Sequence, residues 1–254
     1  TSVNQLTGTG GILLGANMLT AINNANGSIS GNITGSSGGF TKSGGGNLTL
    51  NGVNNYAGST IINQGMLTGT TDSISGSNIA LNGSSQLRYN QNFAGTAAQN
   101  IGGTGSVEVN NSGLVTFTGN LTHSGGLTAQ AGSHLAISGT RSGAAGVGID
   151  LSGAGGSLAV NASGSVVGGQ FAAVQMASAA DVINLGSITN AGPLGDGFVG
   201  VHQQMATIEN RDRQQVHEAD ADRQARDQPE LRIEQPNHQG LAIGRLLDDA
   251  VRHR

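Results

Sequence analysis

The 254-residue sequence has no cysteine and no tryptophan, only 3 prolines, 3% aromatic residues and 10% charged residues. Without cysteine, neither a disulfide framework nor a thiolate metal site can form. An average soluble domain is about 25% charged, so this surface must be polar without being ionic. With so few aromatics, an ordinary globular core lacks its large fillers. The formal net charge of −4 selects no partner. No basic stripe is present, which argues against nucleic acid. No apolar run approaches the ~20 residues of a membrane-spanning helix. The sequence opens at Thr1 without a charged and apolar leader, so an export signal is expected to have been removed or left out.

Glycine is abundant instead, at 44 residues. Gly/Ser-rich chains often form flexible coil, but disordered chains also tend to carry high net charge, and this one does not. Its glycines punctuate short alternating units, most of them apolar–x–apolar, such as Ser28-Ile29-Ser30-Gly31, Asn47-Leu48-Thr49-Leu50-Asn51-Gly52, Asn78-Ile79-Ala80-Leu81-Asn82-Gly83, Ser106-Val107-Glu108-Val109, His134-Leu135-Ala136-Ile137 and Ser157-Leu158-Ala159-Val160. Period two places both apolar side chains on one face of a strand. The Asn-Gly or Ser-Gly that follows is expected to supply the φ > 0 position of a tight turn. Such units cannot bury themselves singly, but stacked as a solenoid they share one core. Coils of about twenty residues predict about ten rungs and a rod on the order of 50 Å. A β-sandwich of short strands is the competing architecture, and it calls for larger inward residues.

The character changes near residue 205. Residues 1–204 hold 42 of the glycines and eight charged side chains, whereas residues 205–254 hold eight Arg, ten Asp or Glu, two glycines and no serine. Residues 1–204 are therefore read as a β-solenoid and residues 205–254 as a charged tail. That tail is either disordered, or a short helix using Leu241, Leu246, Leu247, Ala250 and Val251, or not the native continuation, as after a shifted reading frame.

Residues 40–67 read FTKSGGGNLTLNGVNNYAGSTIINQGML. Leu48 and Leu50 are expected inward with Thr49 outward, Gly52 and Gly58 at sharp corners, Asn54 and Asn63 on backbone at turns or in ladders, and Tyr56 over a corner. This stretch resembles the autotransporter-associated β-strand repeat of passenger domains in type V secretion. The matching residues are Lys42, Gly44, Gly46, Leu48, Thr49, Leu50, Gly52, Asn54, Tyr56, Gly58, Thr60, Ile62, Asn63, Gly65 and Leu67. Phe40, Asn47 and Asn55 depart mildly from the pattern. Residues 101–137 resemble a degraded copy. The resemblance implies a right-handed parallel β-helix with no catalytic residues and no cofactor. It also implies display on the bacterial surface through a C-terminal translocator barrel. Such a barrel has ten-residue alternating strands, and no such pattern occurs in this sequence.

Other motifs carry little. Gly35-Ser36-Ser37-Gly38-Gly39 fits G-x-S-x-G but lies in Gly/Ser low complexity, not in the strand–turn–helix of a nucleophile elbow. Gly195–Gly200 fits G-x-G-x-x-G without a βαβ unit around it. Ala145–Leu151 is similar to one turn of a calcium-binding nonapeptide, but Ala159 stands where a second copy would repeat Asp150. His123, His134 and His202 share no ligand spacing. A solenoid could still gather Asp72, Glu108 and Asp150 on one face as a carboxylate pair for glycoside cleavage.

The expected function is thus non-enzymatic: a surface-displayed passenger segment, acting as a structural stalk or adhesin-like module toward host or neighbouring-cell ligands, associated with virulence and cut off before its outer-membrane anchor. The alternatives are a β-helix enzyme acting on polysaccharide and a truncated gene product without function.

Overall fold

A computed structural model of the chain describes residues 1–143, 146–151, 153, 155–169, 172–176 and 180–190, and the backbone of strands Phe198–Val201 and Ile208–Asn210. These residues form an all-β, parallel solenoid of about nine turns, with no helix among them. The expectation of a stacked solenoid rather than a sandwich is met.

Each turn lays down three short strands, and like strands stack into three faces. The first face stacks Ser2–Val3, Met18–Ile22, Gly39–Ser43, Thr60–Ile62, Asn78–Leu81 and Asn100–Gly103. It continues through single bridges at Leu121 to Thr140–Ser142, Ser165–Gly168 and Ser187–Asn190. The second face stacks Gly27–Ile29, Asn47–Leu50, Met66–Gly69, Gln86–Tyr89, Ser106–Val109, Leu127–Ala129, Ile149–Leu151, Val174–Met176 and Phe198–Val201. The third holds Ile12–Leu13, Ile33–Gly35 and Asn55–Tyr56, then Gly95–Ala97, Leu114–Phe117, His134–Ile137, Gly156–Val160, Ala180–Asn184 and Ile208–Asn210. Between its two blocks the turn Thr70–Ser75 takes the place of a strand. Asn54 N–H and Nδ2 reach the carbonyls of Asp72 and Ser73 from one neighbouring rung, and Thr71 N–H donates to Gln91 Oε1 on the other.

Register explains the uneven spacing of the apolar units in sequence. Residues stacked one rung apart lie from 18 positions apart (Ser2 with Thr20) to 26 (Val182 with Ile208). The units read from sequence fall on different faces, so the gaps between them mix strand-to-strand and rung-to-rung distances. Ser28-Ile29, Asn47–Leu50 and Ser106–Val109 lie on the second face, Asn78–Leu81 on the first, and His134–Ile137 and Ser157–Val160 on the third.

Period-two alternation sends one side-chain set into a narrow core. On the second face Leu48, Leu67, Leu87, Val107, Leu127, Ile149 and Val174 stack in register and are all buried. Each such aliphatic contributes roughly 1.5–3 kcal/mol by leaving water. The scarce aromatics work as pairs inside: Phe40 tilts against Tyr56 at 6.3 Å, and Tyr89 meets Phe117 edge-on at 5.6 Å.

One expectation about glycine needs correcting. Gly83, after Asn82, does adopt φ +58°, but Gly52, after Asn51, is not among the positive-φ glycines. It is required for another reason: a Cβ there would sit 2.3 Å from the Gly31 carbonyl oxygen of the rung beneath. Most corner glycines of this kind make room for stacking and do not turn the chain.

The solenoid lies in a compact unit, Thr1–Asp212. Its paired strands run past residue 204, because Ile208–Asn210 pairs in parallel with Ala180–Asn184. The remaining tail, residues 211–254, with the helix expected at Leu241–Val251, lies outside the described residues, as do His202 and the Gly195–Gly197 part of the G-x-G-x-x-G match. In the G-x-S-x-G match, a strand, Gly39–Ser43, follows the serines where a nucleophile elbow needs a helix. Among the described residues no helix is long and apolar enough to cross a membrane.

Candidate functional site

The 28-residue motif occupies slightly more than one full turn, from Phe40 on the first face to Leu67 on the second of the next rung. Leu48, Leu50, Ile62 and Leu67 are core, and Thr49 faces outward, half-buried. Asn54 joins three rungs: Ile33 N–H donates to its Oδ1 (2.7 Å) and its Nδ2 donates to Ser73 O (2.6 Å). Asn63 instead bonds side chains, accepting from Asn82 Nδ2 (2.9 Å) and donating to Ser43 Oγ (3.2 Å). Tyr56 does not cover a corner. It is buried in the core, its hydroxyl pairs with Thr60 Oγ1 at 2.6 Å, and burial pushes its pKa up to about 12. Gly44 and Gly65 turn the chain at φ +80° and +66°, while Gly46 and Gly58, like Gly52, clear the carbonyls beneath them.

Lys42 has a role the sequence did not assign. It is fully buried, and its Nζ donates to the carbonyls of Ser43 (2.9 Å), Gly44 (2.7 Å) and Gln64 (3.1 Å). Burial holds its pKa below the ordinary lysine value. Arg141 plays the same part farther along that corner between the first and second faces. It donates to the carbonyls of Gly148, Leu121, His123, Ser142 and Gly125, and burial lowers its pKa to about 10. Neither cation has an acidic partner; among the described residues the one ion pair is Arg88 with Glu108. Backbone dipoles compensate the charge. His123 is buried beside Arg141 with neither ring nitrogen in a hydrogen bond. Desolvation first, and Arg141 second, hold its pKa at about 3, against a weak opposing pull from the Gly125 and Gly105 backbone.

The acids divide. Glu108 and Asp150 stand in one outward column of the second face, Arg88–Glu108–Thr128–Asp150, two rungs apart, or about 10 Å at ~4.8 Å per rung. Asp72 lies elsewhere, in the Thr70–Ser75 turn. Glu108 is engaged by Arg88 Nη2 (3.1 Å) and Gln86 Nε2 (2.8 Å). Asp150 has one oxygen without a partner, and burial holds its carboxyl above the usual range. Among the described residues no three His, Asp or Glu side chains gather as a metal site. His134 instead pairs with Ser157 Oγ at 2.8 Å.

A recess opens elsewhere, at the corner between the second and third faces. It encloses about 570 Å³ and crosses four successive rungs, at Thr70, at Asn90–Phe93, at Asn110–Ser112 and at Ala131–Gly132. Strict stacking makes it. Tyr89, Val109 and Ala129 lie above one another, as do Ala97, Phe117 and Ile137, each twenty residues on. The corner residues between them therefore stack too, and they shrink from rung to rung: Gln91-Asn92-Phe93, then Asn111-Ser112-Gly113, then Ala131-Gly132-Ser133. The loss of side-chain volume leaves the hollow. Its floor is fixed. Gln91 Nε2 donates to Phe93 O (2.9 Å), and a Cβ on Gly113 would meet Phe93 O at 2.1 Å. Buried Asn111 donates to Gly113 O and leaves its Oδ1 without a partner. The sequence reading singled out none of these residues. The signal for them was the twenty-residue alignment of 90–93 with 110–113, visible only once the register is known.

The fold and this recess define a parallel β-solenoid with a polar, uncharged corner groove. Comparison with protein-family models, with curated proteins and with solved structures gives no match.

Proposed function

We propose that this chain is a segment of an autotransporter-like passenger, displayed on a bacterial surface as a non-enzymatic stalk with an adhesive side. The observation that carries the reading is the residue 40–67 motif. Its lysine, glycines and Asn54 hold roles specific to a stacked turn: Lys42 closes corner carbonyls and Asn54 ties three rungs. A solenoid built this way is held rung by rung by its neighbours, which suits a rigid spacer. Its corner groove offers contact without charge.

To test this, the full chain is placed between an export signal and an outer-membrane β-barrel. Surface exposure is then scored by antibody on intact cells, and attachment to neighbouring cells is scored against barrel-only cells. Exposure with increased attachment is expected. A chain held inside the cell, or exposed with no gain in attachment, overturns the reading.

The Glu108–Asp150 column favours a second reading, polysaccharide cleavage, since inverting glycosidases separate their carboxyls by about 6.5–9.5 Å. Glu108 is already engaged by Arg88 and Gln86, and neither acid lines the groove. Release of reducing ends from polysaccharide, abolished by E108Q and by D150N, would establish it.

A further inference from the structure

We infer that the corner groove binds an uncharged oligosaccharide laid along the solenoid axis, with Phe93 as its stacking platform. The inference rests on the adhesive reading above and gives it a ligand class.

Three observations converge. The first is where the asparagines are left free. Several asparagines elsewhere on the solenoid are bonded to neighbours: Asn47 with Thr68, Asn63 with Asn82, Asn78 with Asn100, and Asn120 with the Thr140 N–H. Exposed Asn24, Asn32, Asn51 and Asn55 keep free amides but do not line the recess. At the groove, the exposed amides of Asn90, Asn92 and Asn110 have no protein partner among the described residues, although the backbone N–H groups of Asn90 and Asn110 are bonded to the rung below. An amide both donates and accepts, so a row of free amides matches a row of hydroxyls, each of which also does both.

The second observation is the aromatic. Phe40, Tyr56, Tyr89 and Phe117 are fully buried, whereas Phe93 is 39% exposed, the one exposed aromatic among the described residues. It stands at the groove wall with its backbone clamped by Gln91. A ring held rigid at a wet edge presents a flat apolar face at little entropic cost, and the C–H face of a sugar ring is its complement.

The third is the neutrality of the lining. No ionisable side chain lines the groove, so nothing there balances a charged ligand. Four rungs at ~4.8 Å give a floor of about 14 Å, long enough for a short chain of sugars rather than one ring.

The test uses the purified full chain and a panel of uncharged gluco-, galacto- and N-acetylglucosamine oligomers, with sulfated and sialylated counterparts, followed by calorimetry and saturation-transfer NMR. At least one neutral oligomer is expected to bind, with saturation strongest on one sugar face and affinity rising from dimer to tetramer. F93A is expected to weaken binding about tenfold, and N110A several-fold. Both sites are exposed, so circular dichroism should stay unchanged. Asp181→Asn, at an exposed position of the third face away from the groove, should bind as the parent does.

The inference is overturned if no neutral oligomer binds, if F93A binds as tightly as the parent, or if the charged sugars bind best. A purified chain that ignores every sugar while displayed cells still attach would sink the ligand and spare the adhesive reading. Sugar binding without attachment would do the reverse.

Discussion

Lys42 and Arg141 fill inward positions of the first face whose stacking neighbours are aliphatic, Ile62 beside Lys42 and Val166 beside Arg141, and His123 is buried close to Arg141 at the corner. A buried cation normally costs several kcal/mol unless it is compensated. Here the compensation is the set of carbonyls that a solenoid corner turns inward. At His123, desolvation and then Arg141 outweigh the pull of the Gly125 and Gly105 backbone, and it stays neutral. Its folded pKa of about 3 lies below the 6.5 of the free side chain, so between pH 6.5 and 3 the unfolded chain binds a proton that the folded chain refuses. Stability from this site is therefore complete above pH 6.5 and lost as pH falls toward 3. Between pH 7 and 4.5 the parent should lose about 2 kcal/mol more than His123→Leu, from urea midpoints at both pH values. Equal losses in the two proteins would mean that His123 titrates normally. In sequence Lys42 was visible only as a match to the repeat pattern and Arg141 only as a charge in a poor background, because nothing local says that a lysine or an arginine points inward.

At the scale of a single strand and its corner, the alternation was readable and the reason for the glycines was not. Apolar–x–apolar spacing places Leu48 and Leu50 inward wherever the strand ends up. The purpose of Gly52 depends on Gly31, twenty-one residues earlier, whose carbonyl oxygen a Cβ would approach to 2.3 Å. Gly45 sits on a neighbouring corner with open space around it and no positive φ. Gly52→Ala is thus expected to destabilise by about 1–3 kcal/mol through overpacking. Gly45→Ala should be neutral or stabilising by about 0.5 kcal/mol, through reduced freedom of the unfolded chain. Paired denaturation curves decide it, and equal effects would refute the stacking-clearance account. Asn82-Gly83 turned as expected and Asn51-Gly52 did not, because a glycine chosen for clearance and a glycine chosen for its dihedral angle look identical in sequence.

On the scale of the molecule, each rung of the solenoid contacts chiefly its neighbours, so stability is carried between nearest neighbours. Leu87 lies mid-column between Leu67 and Val107. Leu87→Ala should cost about 2–5 kcal/mol through the cavity it leaves. By hydrogen exchange, protection should fall at Leu67 and Val107 and remain near the parent value at Val166 and Ile188. A uniform loss along the chain would mean one cooperative unit. The sequence by itself determined that short period-two strands must stack, because none holds enough apolar surface alone and the charge is too low for a solvated coil. It also singled out residues 40–67, which span slightly more than one turn. Only the tertiary structure decided which strands share a face, how Glu108 comes to stand in one column with Asp150 without Asp72, and where a groove opens. Those outcomes depend on rung-to-rung register, set by partners 18 to 26 residues away. A shift of one residue in that register would have moved Asn90, Asn110 and Phe93 off the same corner.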